Sequence, residues 1–142
     1  MILDRSGIQD AMKKEGWPID KIQRWEMDSD YYVLPDTSWL MNKFPRWWSM
    51  VRKLLNLVGR PGLFVCTNFA KLCTALVNLL HYYSSKDDEG LAFGYIRYKI
   101  EGKDRHCICF SVVVEGIKYF EPQNSFLELT QNEKDSIYSV SI

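Results

Sequence analysis

The chain has no run approaching ~20 consecutive apolar residues, which excludes a membrane-spanning helix of ordinary length. It has no net charge, with 18 Lys and Arg against 18 Asp and Glu. No field therefore draws it to nucleic acid or to an anionic membrane, and neither partner is expected. Repeats, low-complexity tracts and linker-like stretches are absent. So are a P-loop, a dinucleotide fingerprint and a His-Glu-x-x-His zinc motif. The first residues, Met1 to Glu15, hold no apolar run of signal-peptide length, so a cytoplasmic location is the expectation. Histidine is scarce, with two in the chain. The cysteines are Cys66, Cys73, Cys107 and Cys109. Six residues separate the first two and one separates the last two, and neither spacing is that of a zinc knuckle. Without a secretion signal, disulfides are not expected either. No metal and no cofactor is expected.

What is present is a globular composition. The 142 residues are 46% hydrophobic and 14% aromatic, enough for one domain, residues 1–142, with a real core. Hydrophobic period divides the chain. The first half reads as helices and the second as strands, which predicts an α+β fold with N-terminal helices packed on a C-terminal antiparallel sheet. Ser6 with Gln9 reads as a capping box, and Gly16 ends that helix. Pro18 opens a short second helix through Trp25. Met27 to Pro35 reads as an acidic loop, and Asp36 or Thr37 caps a turn carrying Trp39 and Leu40. Trp47, Trp48, Val51, Leu54, Leu55 and Val58 fall at helical spacing. The run Leu63 to Tyr83 is a longer amphipathic helix that starts near Cys66 to Asn68. Ser84 to Gly90, with Asp87-Asp88-Glu89, reads as a solvated loop. Strands follow at Leu91 to Ile100, His106 to Val114, Ile117 to Phe120 and Ile137 to Ile142. Glu115-Gly116 reads as a tight hairpin turn.

One constellation points to chemistry. Cys66 stands at a helix start, where free N–H groups and the helix dipole favour a thiolate. His106 opens a strand, and Glu121 ends the next. A cysteine nucleophile, an imidazole base and a carboxylate that orients it form the triad of papain-like thiol enzymes. His81 is excluded as the base, because it lies over ~20 Å along the helix that carries Cys66. The backbone N–H of Cys66 supplies one oxyanion donor. The plain alternative is a buried structural Cys66, a solvated strand start at His106 and a loop carboxylate at Glu121. A strict two-residue turn at Glu115-Gly116 favours that alternative. It pairs Val114 with Ile117 and sets Glu121 opposite Phe110, ~13 Å of slip from His106.

The chain resembles the papain-like cysteine-peptidase domain of the mushroom agglutinin family and its small bacterial and phage relatives. The likeness rests on Cys66-Thr67-Asn68-Phe69-Ala70, Leu91-Ala92-Phe93-Gly94, His106, and Glu121-Pro122-Gln123. An upstream Asp-x-x-Tyr-x-Leu-Pro segment, Asp28 to Pro35, adds to it. The resemblance implies a papain-like fold, with Cys66 as nucleophile, His106 as base and Glu121 as orienting carboxylate. It also implies acidic residues beside the cysteine that help bind calcium. Here those neighbours are Val65, Thr67 and Asn68, which are poor ligands for a hard cation.

Two functions follow as expectations. The first is a cysteine peptidase, a thiol hydrolase that acts on a peptide or isopeptide bond through a thioester, in a phage or bacterial protein. The second is a catalytically inactive papain-like binding module that occupies a partner such as a host protein. The tryptophans Trp17, Trp25, Trp39, Trp47 and Trp48 read as a core layer between helices and sheet. Arg46, Arg52, Lys53 and Arg60 read as a solvated face.

Overall fold

The computed structural model describes residues 1–62, 64–85 and 88–142. Leu63, where the long apolar run begins, and Asp87 of the acidic loop lie outside the described residues. The architecture is α+β, as expected. Elements are numbered along the chain. The main sheet has six strands in the order β2 (Arg24–Glu26), β9 (Ile137–Ser141), β5 (Phe93–Tyr98), β6 (His106–Val113), β7 (Gly116–Phe120) and β8 (Phe126–Leu127). Its neighbours pair antiparallel except β2 with β9, which pair parallel. A smaller sheet joins β1 (Ile2–Asp4), β3 (Tyr31–Val33) and β4 (Gly90–Leu91).

The helices cover both faces of the main sheet. On one face α1 (Arg5–Lys14) sets Ile8 and Met12 against Ile96, Ile108, Phe110 and Val112. On the other face α2 (Phe44–Leu54) and α3 (Cys66–Ser84) bring Phe44, Trp48, Phe69, Cys73 and Val77 to Phe93, Cys107, Cys109 and Val113. Strand side chains alternate between faces, and burial on both faces explains why β6 reads as a continuous apolar run. A short α4 (Gln131–Asp135) precedes β9, with Thr130 and Glu133 as a reciprocal capping box. The five tryptophans behave as a core layer: Trp17 and Trp48 are buried and the other three pack against the two cores.

Several local expectations change. The α1 cap is Asp4, whose side chain accepts from Gly7 N, because the helix starts before Ser6. Trp25 lies in β2 and not in a helix, since the parallel pairing with Val140 overrides a weak local propensity. The segment 27–35 contains β3, which Asp28 to Pro35 hides behind acidic residues. The hairpin turn is Val114-Glu115, because Val113 pairs with Gly116. Gly116 there has φ +136, a conformation that suits glycine. In α2 the apolar stripe runs out into solvent, and Leu54, Leu55 and Val58 are exposed. Gly94 is fixed by close approach. A Cβ on it would overlap the Ser141 carbonyl of β9.

Candidate functional site

The α3 helix starts at Cys66, as its spacing predicts. Asn68 Oδ1 accepts from Val65 N at 3.0 Å, so the neutral residue at a position where an acid was expected serves as a helix cap. Cys66 is half-buried, while Cys73, Cys107 and Cys109 are buried. Cys109 Sγ donates to the Ala70 carbonyl at 3.5 Å, a contact of a satisfied core thiol. Burial and a hydrogen bond to Cys109 push the Cys73 thiol well up. Burial pushes Cys107 up to about 12.

His106 pairs with Tyr98 at the end of β6 and is exposed. Alternation sends Cys107 and Cys109 toward α3 and aligns His106 with Ile108 and Phe110, which pack on the opposite face. The His106 ring accordingly stacks on Tyr98, a residue of that opposite core, with centroids 5.3 Å apart. Glu121 follows the last ladder pair, Cys109 with Phe120, so it falls beside Ile108. The slip from His106 is two residues, ~7 Å, and not the ~13 Å that a Glu115-Gly116 turn implied. Glu121 Oε1 accepts from Gln123 N at 2.9 Å. Trp48 Nε1 and Arg52 Nη1 both donate to the Pro122 carbonyl, which ties the Glu121-Pro122-Gln123 turn to α2.

The three residues thus share a neighbourhood without forming a chain. Burial and the charge of Glu133, with smaller contributions from Glu121 and Cys66, push the Tyr98 phenol up. Among the described residues no hydrogen bond joins Cys66, His106 and Glu121 to one another. No group of three metal-ligating side chains is found there either. No described helix is long and apolar enough to cross a membrane.

A different concavity has the makings of a binding site. A cleft of about 360 Å³ opens between the turn after β3 and the C-terminal half of α3. Ligand pockets typically begin at roughly 300 Å³ and combine an apolar floor with a few polar groups. Val77, Leu80 and Leu91 supply the floor, with Asp36, Trp39, His81 and Ser84 among the other lining residues. Asp36 Oδ1 accepts from Trp39 N at 2.8 Å, the cap that the sequence suggests. Trp39 opens a π-helical turn, Trp39–Lys43, in which Phe44 N donates to the Trp39 carbonyl. Such turns recur at functional sites. The Phe44 ring packs tilted against the Trp39 indole, with centroids 5.8 Å apart. His81 Nε2–H donates to the Glu89 carbonyl at 3.1 Å. Sequence reading set this cleft aside because Trp39 looked like core and His81 was judged only by its distance from Cys66.

No family model and no curated protein matches the chain. Among solved structures it is similar to the PSL1a–E64 complex, with TM-score 0.75 and 14% identity over 99% of this chain and 51% of that one. It is also similar to Polyporus squamosus lectin bound to the human-type influenza-binding epitope Neu5Acα2-6Galβ1-4GlcNAc, with TM-score 0.72 and 14% identity over 99% of this chain and 49% of that one. The chain therefore spans about half the length of these neighbours, and the likeness is one of fold. One of these neighbours is a lectin bound to a glycan, and this corrects the expectation of a Cys66-His106-Glu121 peptidase. The resemblance to the mushroom agglutinin family stands as a likeness of fold to Polyporus squamosus lectin. The reading as a thiol protease or hydrolase does not stand. In fold this chain is α+β and similar to Polyporus squamosus lectin.

Proposed function

We propose that the chain is a carbohydrate-binding module that performs no thiol-dependent turnover. As part of this proposal, the order of α3 followed by antiparallel β5, β6 and β7 is a papain-like scaffold kept for binding. The observation that carries the reading is a fold match over 99% of this chain to a lectin holding a glycan. The arrangement of Cys66 and His106 supports it. A general base must reach the proton it takes within roughly 3 Å, or through one water, and the pleat of β6 turns His106 to the face that α3 does not cover. A glycan also fits the neutral chain, since sugar recognition draws on aromatic faces and hydrogen bonds more than on net charge.

A glycan microarray probed with labelled protein at neutral pH tests this. Saturable binding to a defined set of glycans is the expected result. Uniformly negative spots, together with Cys66-dependent cleavage of a peptide library, would overturn the proposal.

A further inference from the structure

We propose that the cleft between Trp39 and His81 is the sugar site and that it takes a neutral hexopyranose. This inference rests on the carbohydrate-binding reading and assigns it a place and a charge preference. A pyranose ring has an apolar C–H face and a hydroxyl edge. The apolar face lies well against an indole, whose π face carries partial negative charge. Trp39 lines the cleft, and its ring is braced by Phe44 at 5.8 Å and its backbone by Asp36. A pre-positioned ring loses little freedom on binding. The hydroxyl edge would meet Asp36 and His81 among the lining residues, whose carboxylate and imidazole can hydrogen-bond to hydroxyl groups.

Charge decides which sugars fit. Among the described residues no Lys or Arg lines the cleft, and Asp36 does. Glu115, an exposed carboxylate, accepts from the Thr37 hydroxyl next to Asp36. Glu89 holds His81 from the far side through its carbonyl, and Asp88 lies beside it. A carboxylate-bearing sugar would meet like charges and no cation, which costs affinity. The expected ligand is therefore a galactose or N-acetylglucosamine unit without a sialic acid cap.

Nuclear magnetic resonance of the indole N–H signals tests this on the full chain. Galβ1-4GlcNAc and Neu5Acα2-6Galβ1-4GlcNAc are titrated separately, with Trp39→Phe used to assign the Trp39 signal. The expected result is a saturable shift of that one indole signal with the disaccharide, and at least five-fold weaker binding of the sialylated trisaccharide. Ser84→Arg, on the exposed rim, retains the fold and raises affinity for the trisaccharide at least three-fold. Should the sugars bind while the Trp39 signal stays put, the site assignment is wrong and the carbohydrate-binding reading survives. Equal affinity for the two sugars would overturn the neutral preference. A shift with neither sugar and a blank glycan array would remove the site together with the reading beneath it.

Discussion

Tyr98 stacks on His106, with ring centroids 5.3 Å apart and planes 21° from parallel. The two residues are direct partners in the β5–β6 ladder, so the stack is a consequence of register. It holds the imidazole against a phenol and not against a thiol. His106 thus takes a structural contact within the ladder.

Cys66→Ala should leave sugar binding unchanged within about two-fold and cost little stability, because Cys66 is half-buried and makes no hydrogen bond. Cys73→Ala removes a fully buried side chain and should cost on the order of 1 kcal/mol. Urea unfolding of the two variants, measured side by side, checks the difference.

Thiol reagents should label Cys66 before the other three cysteines, since those are buried. Selectivity alone would follow from exposure. The informative quantity is rate: with no imidazole bonded to it, Cys66 should react within about ten-fold of a thiol in an unfolded peptide, the helix start alone favouring the thiolate. Stopped-flow labelling at pH 7 gives that number, and a rate enhanced 100-fold would point back to an activated nucleophile.

Gly94→Ala should be among the most destabilising single changes. Its Cβ would overlap the Ser141 backbone carbonyl, which cannot move without breaking the β5–β9 ladder. A loss of at least about 2 kcal/mol is expected. Gly62→Ala, where a Cβ meets nothing within 4 Å, is a useful contrast even though its φ is positive.

Tyr119 accepts from Trp17 Nε1 at 2.7 Å, and its own hydroxyl faces Glu15. Tyr119→Phe leaves a buried indole N–H without a partner, which costs about 1–3 kcal/mol. Trp17→Phe removes the donor as well, so the double variant should lose less than the sum of the two single losses. Thermal unfolding of the cycle gives the coupling.

Alkaline pH should destabilise the fold. Cys107 is raised by burial to about 12 from an ordinary value of 9, and Tyr98 and Tyr119 are raised as well. Each of these groups stays neutral in the folded state after it ionises in the unfolded chain. Their stabilisation is complete below pH 9 and is lost as pH rises from there through the folded values. The melting temperature should be flat from pH 7 to about 9 and fall between 9 and 12.

Some of this structure was legible in the sequence. The starts of α3 at Cys66 and of β6 at His106 follow from strong period and flanking polar residues. Asp36 as a cap follows from its chemistry. What was hidden depended on register and partners. Trp25 joins β2 only because Val140 stands beside it. The turn at Val114-Glu115 exposes an apolar residue that local rules would bury, and that shift moves Glu121 by two places along its partner strand. The face to which His106 belongs is a property of the pleat and its packing, which residue order alone does not carry. The Trp39 cleft joins residues about 40 positions apart, brought together only when α3 packs on the sheet.

The central claim is binding without thiol chemistry. Its most direct test is an equilibrium titration of Galβ1-4GlcNAc, followed by tryptophan fluorescence, on the wild type and on Cys66→Ala. Two saturable, superimposable curves, with the sugar recovered unchanged, are predicted. A flat wild-type curve, or binding that disappears with Cys66, would contradict it.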